Sequence, residues 1–169
     1  MKNLITLLML LVSFNSFGMP TDSEFVEEIA DLEEILNQAE AHASSEGRNI
    51  LETSRSMIKD QEVIKGSCWD YIHAVYLKAG YGNHKRVTIF RSKLQGPYVH
   101  INRIESGDWL YFMNHSFGDV EHSGIFVAWT DQKNKEALVI SYPGGNQAKP
   151  GRYKKYNLRS TYNIIRPAE

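Results

Sequence analysis

Hydrophobic spacing changes period once along this chain, near Gly82, and that change restricts the fold more than any other feature. Before it, apolar residues recur every three or four positions. Phe25, Ile29, Leu32, Ile35, Leu36 and Ala39 mark one face of the segment Asp22 to Ala43, and acids fill the others. Such spacing predicts an amphipathic helix. Ser44, Ser45 and Gly47 interrupt it. A second, shorter helix is predicted from Asn49 to Ile58, with Ile50, Leu51, Met57 and Ile58 on its apolar side. A third starts near Cys68, carries Ile72, Val75, Tyr76 and Ala79 on one face, and is ended by Gly80 and Gly82. Beyond Gly82, aromatic and β-branched residues come in short runs between Gly, Asn, Asp and Pro. Trp109 to Met113, Gly124 to Thr130, Ala137 to Tyr142 and Tyr162 to Arg166 read as strands. Asp131 to Lys135 reads as a polar hairpin loop, and YPGGNQAKPG, Tyr142 to Gly151, as a longer turn-rich connection. Helices followed by strands predict an α+β fold, with N-terminal helices packed on a small antiparallel sheet or partly open barrel.

The chain opens MKNLITLLMLLVSFNSFGMP. Lys2 precedes an apolar core from Leu4 to Phe14, broken only by Thr6 and Ser13, and small Ser16 and Gly18 follow at the −3 and −1 positions of a cleavage site. This reads as a secretory signal peptide, residues 1–18, too short for a bilayer-spanning helix. The rest then divides into an acidic accessory helix, residues 19–47, and one domain, residues 48–169, expected in the periplasm or outside the cell as a monomer without stable membrane insertion. Without Lys2, the 19 Lys and Arg become 18 against 20 Asp and Glu, a balance that does not suit a nucleic-acid partner. Charge is uneven: Met19 to Gly47 holds nine carboxylates and no Lys or Arg, while Gly145 to Glu169 holds six Lys or Arg and one Glu. Two solvated faces account for this, with a basic rim beside an anionic ligand as the sharper alternative. The histidines lack ligand spacing such as H-x-x-x-H, and YPGGN is a turn rather than a phosphate loop feeding a helix. No metal or cofactor is therefore expected.

Cys68 is the only cysteine. Exported proteins pair their cysteines or omit them. A lone one is a buried hydrophobe, an intermolecular link or a reactive thiol. Gly66 and Ser67 put Cys68 in the first turn of the third predicted helix, where unpaired N–H groups and the helix dipole favour a thiolate. The same N–H groups can bind an oxyanion. A base must accompany the thiol. Of the six histidines, His42 and His84 are expected in solvent. His73 points to another side of the helix, and His100 and His115 lie in connections. His122 stands at the mouth of the apolar run VEHSGIFVAWT, followed by Gly124, a glycine whose place in a strand marks close approach of other backbone.

These segments together resemble the NlpC-type papain-like cysteine peptidases, many of which cleave cell-wall peptides. NILETSRSMI is similar to the family's lead-in helix, SGDWLYFMN and EHSGIFVAW to its Gly-Asp and histidine strands, and RSTYNIIRP to its closing strand. The similarity covers about Asn49 to Pro167. It implies a papain-like fold with Cys68 as nucleophile, His122 as general base and Ser141, in ALVISYPGG, at the third position that orients the base. Asn146, Gln147, His115 and Glu121 are alternatives for that position, and Asp108 is a structural residue of the Gly-Asp turn. The implied reaction is acyl transfer from an amide, with stem peptides of peptidoglycan as substrate.

A CHAP-type amidase uses the same Cys-then-His order and is the neighbouring alternative. The string SCWD, and a lead-in KDQEVIKGS without the family's usual aromatic residue, motivate a reading from another class: a catalytically silent cell-wall-binding domain. Trp69, Trp109, Trp129, Tyr98 and Tyr142 would then form its ligand surface. A disulfide dimer through Cys68 is the third possibility. Trp69 itself suits a cleft wall or the core equally, and the acidic helix is expected to brace the domain, with a lid or a partner-binding helix as alternatives.

Overall fold

The computed structural model describes residues 22–144 and 149–169. The signal-peptide reading, residues 1–18, and the candidates Asn146 and Gln147 lie outside the described residues. Three helices come first: α1 (Asp22–His42), α2 (Ser45–Lys59) and α3 (Cys68–Lys78). Six strands follow: β1 (Arg86–Arg91), β2 (Trp109–Asn114), β3 (Val120–Asp131), β4 (Glu136–Ser141), β5 (Arg152–Asn157) and β6 (Thr161–Pro167). They form one antiparallel sheet in the order β1-β6-β2-β3-β4-β5. The architecture is α+β, as the change of period predicts. No helix of the described residues is long and apolar enough to cross a membrane.

Side-chain alternation divides the sheet into two apolar layers. On β2, Trp109 joins Ile50, Met57, Tyr71, Ile72 and Tyr76 beneath the helices. Its neighbours Leu110 and Phe112 join Phe126, Val139, Tyr156 and Ile164 in a second cluster. α1 packs through Leu36 and Ala39, both buried, and Arg55 of α2 reaches back to Glu33, Asn37 and Glu40. Between Leu32 and Glu40 the acidic helix is thus held by apolar burial and by charge.

The two edges carry the strands that the sequence pattern did not predict. β5, RYKKYN, has three cations in six residues, and β1, RVTIFR, has a cation at each end. Charged residues keep edge strands from pairing with other chains, and they also mask strand character in the sequence. β3 begins at Val120, four residues before the predicted Gly124. α2 begins at Ser45, because Ser44 caps it: the Ser44 hydroxyl accepts the Gly47 N–H at 3.0 Å.

The turn before β2 is tied to the last strand. The Asp108 carboxylate is buried, accepts the Glu105 N–H at 2.8 Å and receives Arg166 from β6 through Nε at 2.8 Å and Nη2 at 2.9 Å. Burial pushes this carboxyl above its usual range, and the Arg166 guanidinium opposes the rise. Asp108 is a stitch between the Gly-Asp turn and β6, remote from Cys68.

Candidate functional site

α3 starts on a tight turn. Ser67 caps it, and the Asp70 carboxylate accepts both the Ser67 N–H at 2.7 Å and the Ser67 hydroxyl at 2.8 Å. Gly66 enters this turn at φ +135°, where any side chain would run into the Asp70 carboxylate. Cys68 is the first helical residue and is half-buried. Its neighbouring first-turn N–H groups have no partners within the helix. Gly144, at φ +68°, passes so close that a Cβ there would lie 3.2 Å from the Cys68 nitrogen. A glycine therefore leaves the Cys68 amide approachable.

His122, Ser141 and Tyr156 come from three neighbouring strands. Register brings the first two together, with Gly124 opposite Ser141; Tyr156 pairs with Ala137, four residues from Ser141 on β4, and reaches Ser141 through the length of its side chain. A Cβ on Gly124 would lie 2.8 Å from the Ile140 carbonyl oxygen, so the close backbone approach read from the sequence is present. The His122 ring meets Phe112 edge-on at 5.5 Å and lies 5.3 Å from the Tyr156 ring. Its Nε2 is 3.0 Å from Ser141 Oγ and 3.3 Å from Tyr156 Oη, and those two hydroxyl oxygens are 2.8 Å apart. Burial, with the Lys154 and Arg152 charges beside it, lowers the His122 pKa to about 4. The imidazole is therefore neutral at pH 7. With Nε2 engaged, Nδ1 is the nitrogen left for other chemistry.

Cys68 and His122 line one cavity of about 360 Å³ with Ser141 and Tyr156. Arg152 and Lys154 border it, and the exposed Phe117 and Val120 form a lip. The thiol and the ring share the cavity without a direct hydrogen bond: Cys68 packs against the helix-side layer, and His122 lies opposite Phe112 of the second layer. A larger hollow, about 510 Å³ between α1 and β3, has Gln38, His42, Ser44, Glu105 and Ser106 as its polar members and lacks a thiol.

The other candidates lie elsewhere. His115 is bound by Asp119 at 2.6 Å and Ser160 at 2.8 Å and does not reach His122. Glu121 lies one residue from His122 on β3, so its side chain leaves the opposite face of the strand; it also lines the cavity but makes no hydrogen bond to His122. His73 stacks on Trp69 at 4.7 Å and contacts Arg86. Trp69 is not part of the cavity; its indole N–H donates to the Tyr111 hydroxyl at 2.9 Å. Of the aromatic set read as a ligand surface, Trp109 and Tyr142 are 1% and 2% exposed. That set is divided between core and surface and cannot act as one platform.

Arg152, Lys154 and Tyr156 are among the cavity residues that the sequence analysis did not single out. Their signal is the spacing of two in RYKKYN, which puts all three on one face of β5. Lys154 Nζ stands 5.1 Å from the centre of the Tyr156 ring. No protein-family model, no curated protein and no solved structure matches this chain, so the site is read from its own residues.

Proposed function

We propose that this protein is a thiol hydrolase of amide bonds, with the papain-like architecture of the NlpC-type peptidases. One observation carries the reading: a thiol in the first turn of a helix shares a cavity with a neutral imidazole whose Nε2 is engaged by Ser141. Cys68 Sγ attacks the carbonyl carbon while His122 Nδ1 takes the thiol proton. The carbonyl oxygen gains negative charge, which first-turn N–H groups of α3 stabilise. His122 returns the proton to the departing amine, leaving a thioester on Cys68. Water then attacks the thioester, His122 takes its proton, and the acid and free thiol are released. Ser141 holds the ring. Stem peptides of peptidoglycan are the proposed substrate, on the resemblance of GDW and HSGIF to that family, and export follows from the N-terminal residues.

The test needs no substrate. Iodoacetamide labelling of Cys68 is followed from about pH 5 to 9 in wild type and in His122→Ala. Because the His122 pKa is about 4, the ring is unprotonated across that range and its charge does not change during the titration. His122→Ala is expected to slow labelling near neutral pH by roughly a hundredfold, the usual scale of a general base. Identical profiles for both proteins would remove the Cys–His assignment.

A further inference from the structure

We propose that Tyr156 is a positioning residue for His122: with Ser141 it forms a two-hydroxyl relay that decides which imidazole nitrogen carries the proton. The proposal rests on the Cys68–His122 reading above. To accept the thiol proton, the neutral ring must keep Nδ1 unprotonated and carry its hydrogen on Nε2. A carboxylate or carbonyl facing Nε2 would enforce this, because it can only accept. Ser141 cannot enforce it alone, since a hydroxyl both donates and accepts.

Burial makes the second hydroxyl decisive. Ser141 is 1% exposed, and its hydroxyl has two hydrogen-bond partners, His122 Nε2 at 3.0 Å and Tyr156 Oη at 2.8 Å. Its single proton must go to one of them, because a buried donor without an acceptor is expensive. If it goes to Nε2, the ring proton sits on Nδ1 and the thiol has no base. If it goes to Tyr156, Ser141 can accept from Nε2–H, and Nδ1 keeps its lone pair. Tyr156 completes the count when its own proton points into the cavity it lines and not to Nε2, 3.3 Å away, where it would again send the ring proton to Nδ1. The ring carrying that oxygen is fixed by Phe112, edge-on at 5.2 Å, and by the buried layer around it. When His122 becomes an imidazolium during the reaction, both ring nitrogens must donate. The same orientation, ring to Ser141 to Tyr156 to water, accepts that second N–H without rearrangement.

The experiment combines ¹⁵N NMR of the His122 ring with Cys68 alkylation rates, on the full chain, in wild type, Tyr156→Phe, Ser141→Ala/Tyr156→Phe and His122→Ala. Phenylalanine keeps the ring packing and removes only the hydroxyl, acceptor and donor together. Tyr156→Phe should leave the melting temperature near that of wild type, move His122 from the Nε2–H to the Nδ1–H tautomer, and slow alkylation about tenfold, the effect of 1.36 kcal/mol. Adding Ser141→Ala removes the hydroxyl that then donates to Nε2, so the double variant should recover part of the lost rate. A merely structural role for Tyr156 predicts no such recovery. An unchanged tautomer and rate in Tyr156→Phe, while His122→Ala remains slow, would overturn the relay and leave the Cys–His pair standing. If His122→Ala also labels at the wild-type rate, the pair fails and the relay with it. An Nδ1–H tautomer in wild type at pH 7 would overturn the relay without any variant.

Discussion

Acid should unfold this protein partly through one ring. His122 has a pKa of about 4 in the folded chain against the ordinary 6.5, because burial and the Lys154 and Arg152 charges disfavour its cation. Above pH 6.5 the ring is neutral in both folded and unfolded chains, and no penalty arises. As pH falls below 6.5, the unfolded chain takes up a proton that the folded one refuses, so stability declines. Below about 4 both states are protonated and the loss is complete. The gap between 6.5 and about 4, at 1.36 kcal/mol per pH unit, sets a ceiling of about 3 kcal/mol. Movement of the ring toward solvent in the charged form reduces the figure. The assay is urea unfolding from about pH 7.5 to 4 for wild type and for His122→Gln, which cannot titrate. Carboxylates and the other histidines are common to both, so the difference between the curves isolates this ring. Wild type should lose about 1 kcal/mol or more relative to the variant over that range. Parallel curves would refute the buried, cation-flanked neutral ring from which the chemistry is argued.

Neutralising Arg152 and Lys154 together, as Arg152→Gln/Lys154→Gln, should raise the His122 pKa, because both charges hold it down; an imidazole proton NMR titration reads the direction. Gly144→Ala puts a methyl group 3.2 Å from the Cys68 nitrogen at φ +68°, and should destabilise the chain by about 1–2 kcal/mol and lower the rate of the proposed amide hydrolysis more than alkylation of the thiol. Arg166→Met leaves the Asp108 carboxylate buried without its cation, and chemical denaturation should show a loss of about 3–5 kcal/mol that shrinks as pH falls and Asp108 protonates.

Different parts of this molecule were legible to different degrees. The helices were readable because burial follows their period: Ile50, Leu51, Met57, Ile72, Val75 and Tyr76 are all in the core. Cys68 drew notice through its solitude and the Gly-Ser before it, and His122 through its place at the mouth of an apolar strand. β5 was hidden because Arg152, Lys154 and Lys155 carry the polarity of a loop, and Tyr156 was hidden with it. The meeting of Ser141 and Tyr156 at one nitrogen depends on strand pairing and on the reach of the Tyr156 side chain, which local sequence does not specify. Trp109 and Tyr142 misled for the opposite reason: aromatic composition signals a binding surface and a core alike, and only packing separates them.

The strand order also governs how the chain can assemble during synthesis. β1 pairs only with β6, the last of the six strands to be made. β6 enters between β1 and β2, beside strands completed long before it. A nascent chain lacking its final residues has the helices, the thiol and the whole His122 cluster, yet β1 has no neighbour and β2 has one bare edge. Closure of the sheet therefore waits for β6, and contacts as distant in sequence as Asp108–Arg166 form late. Shortening the chain by its last strand would open the sheet in its interior, whereas losing β5 would strip only an edge.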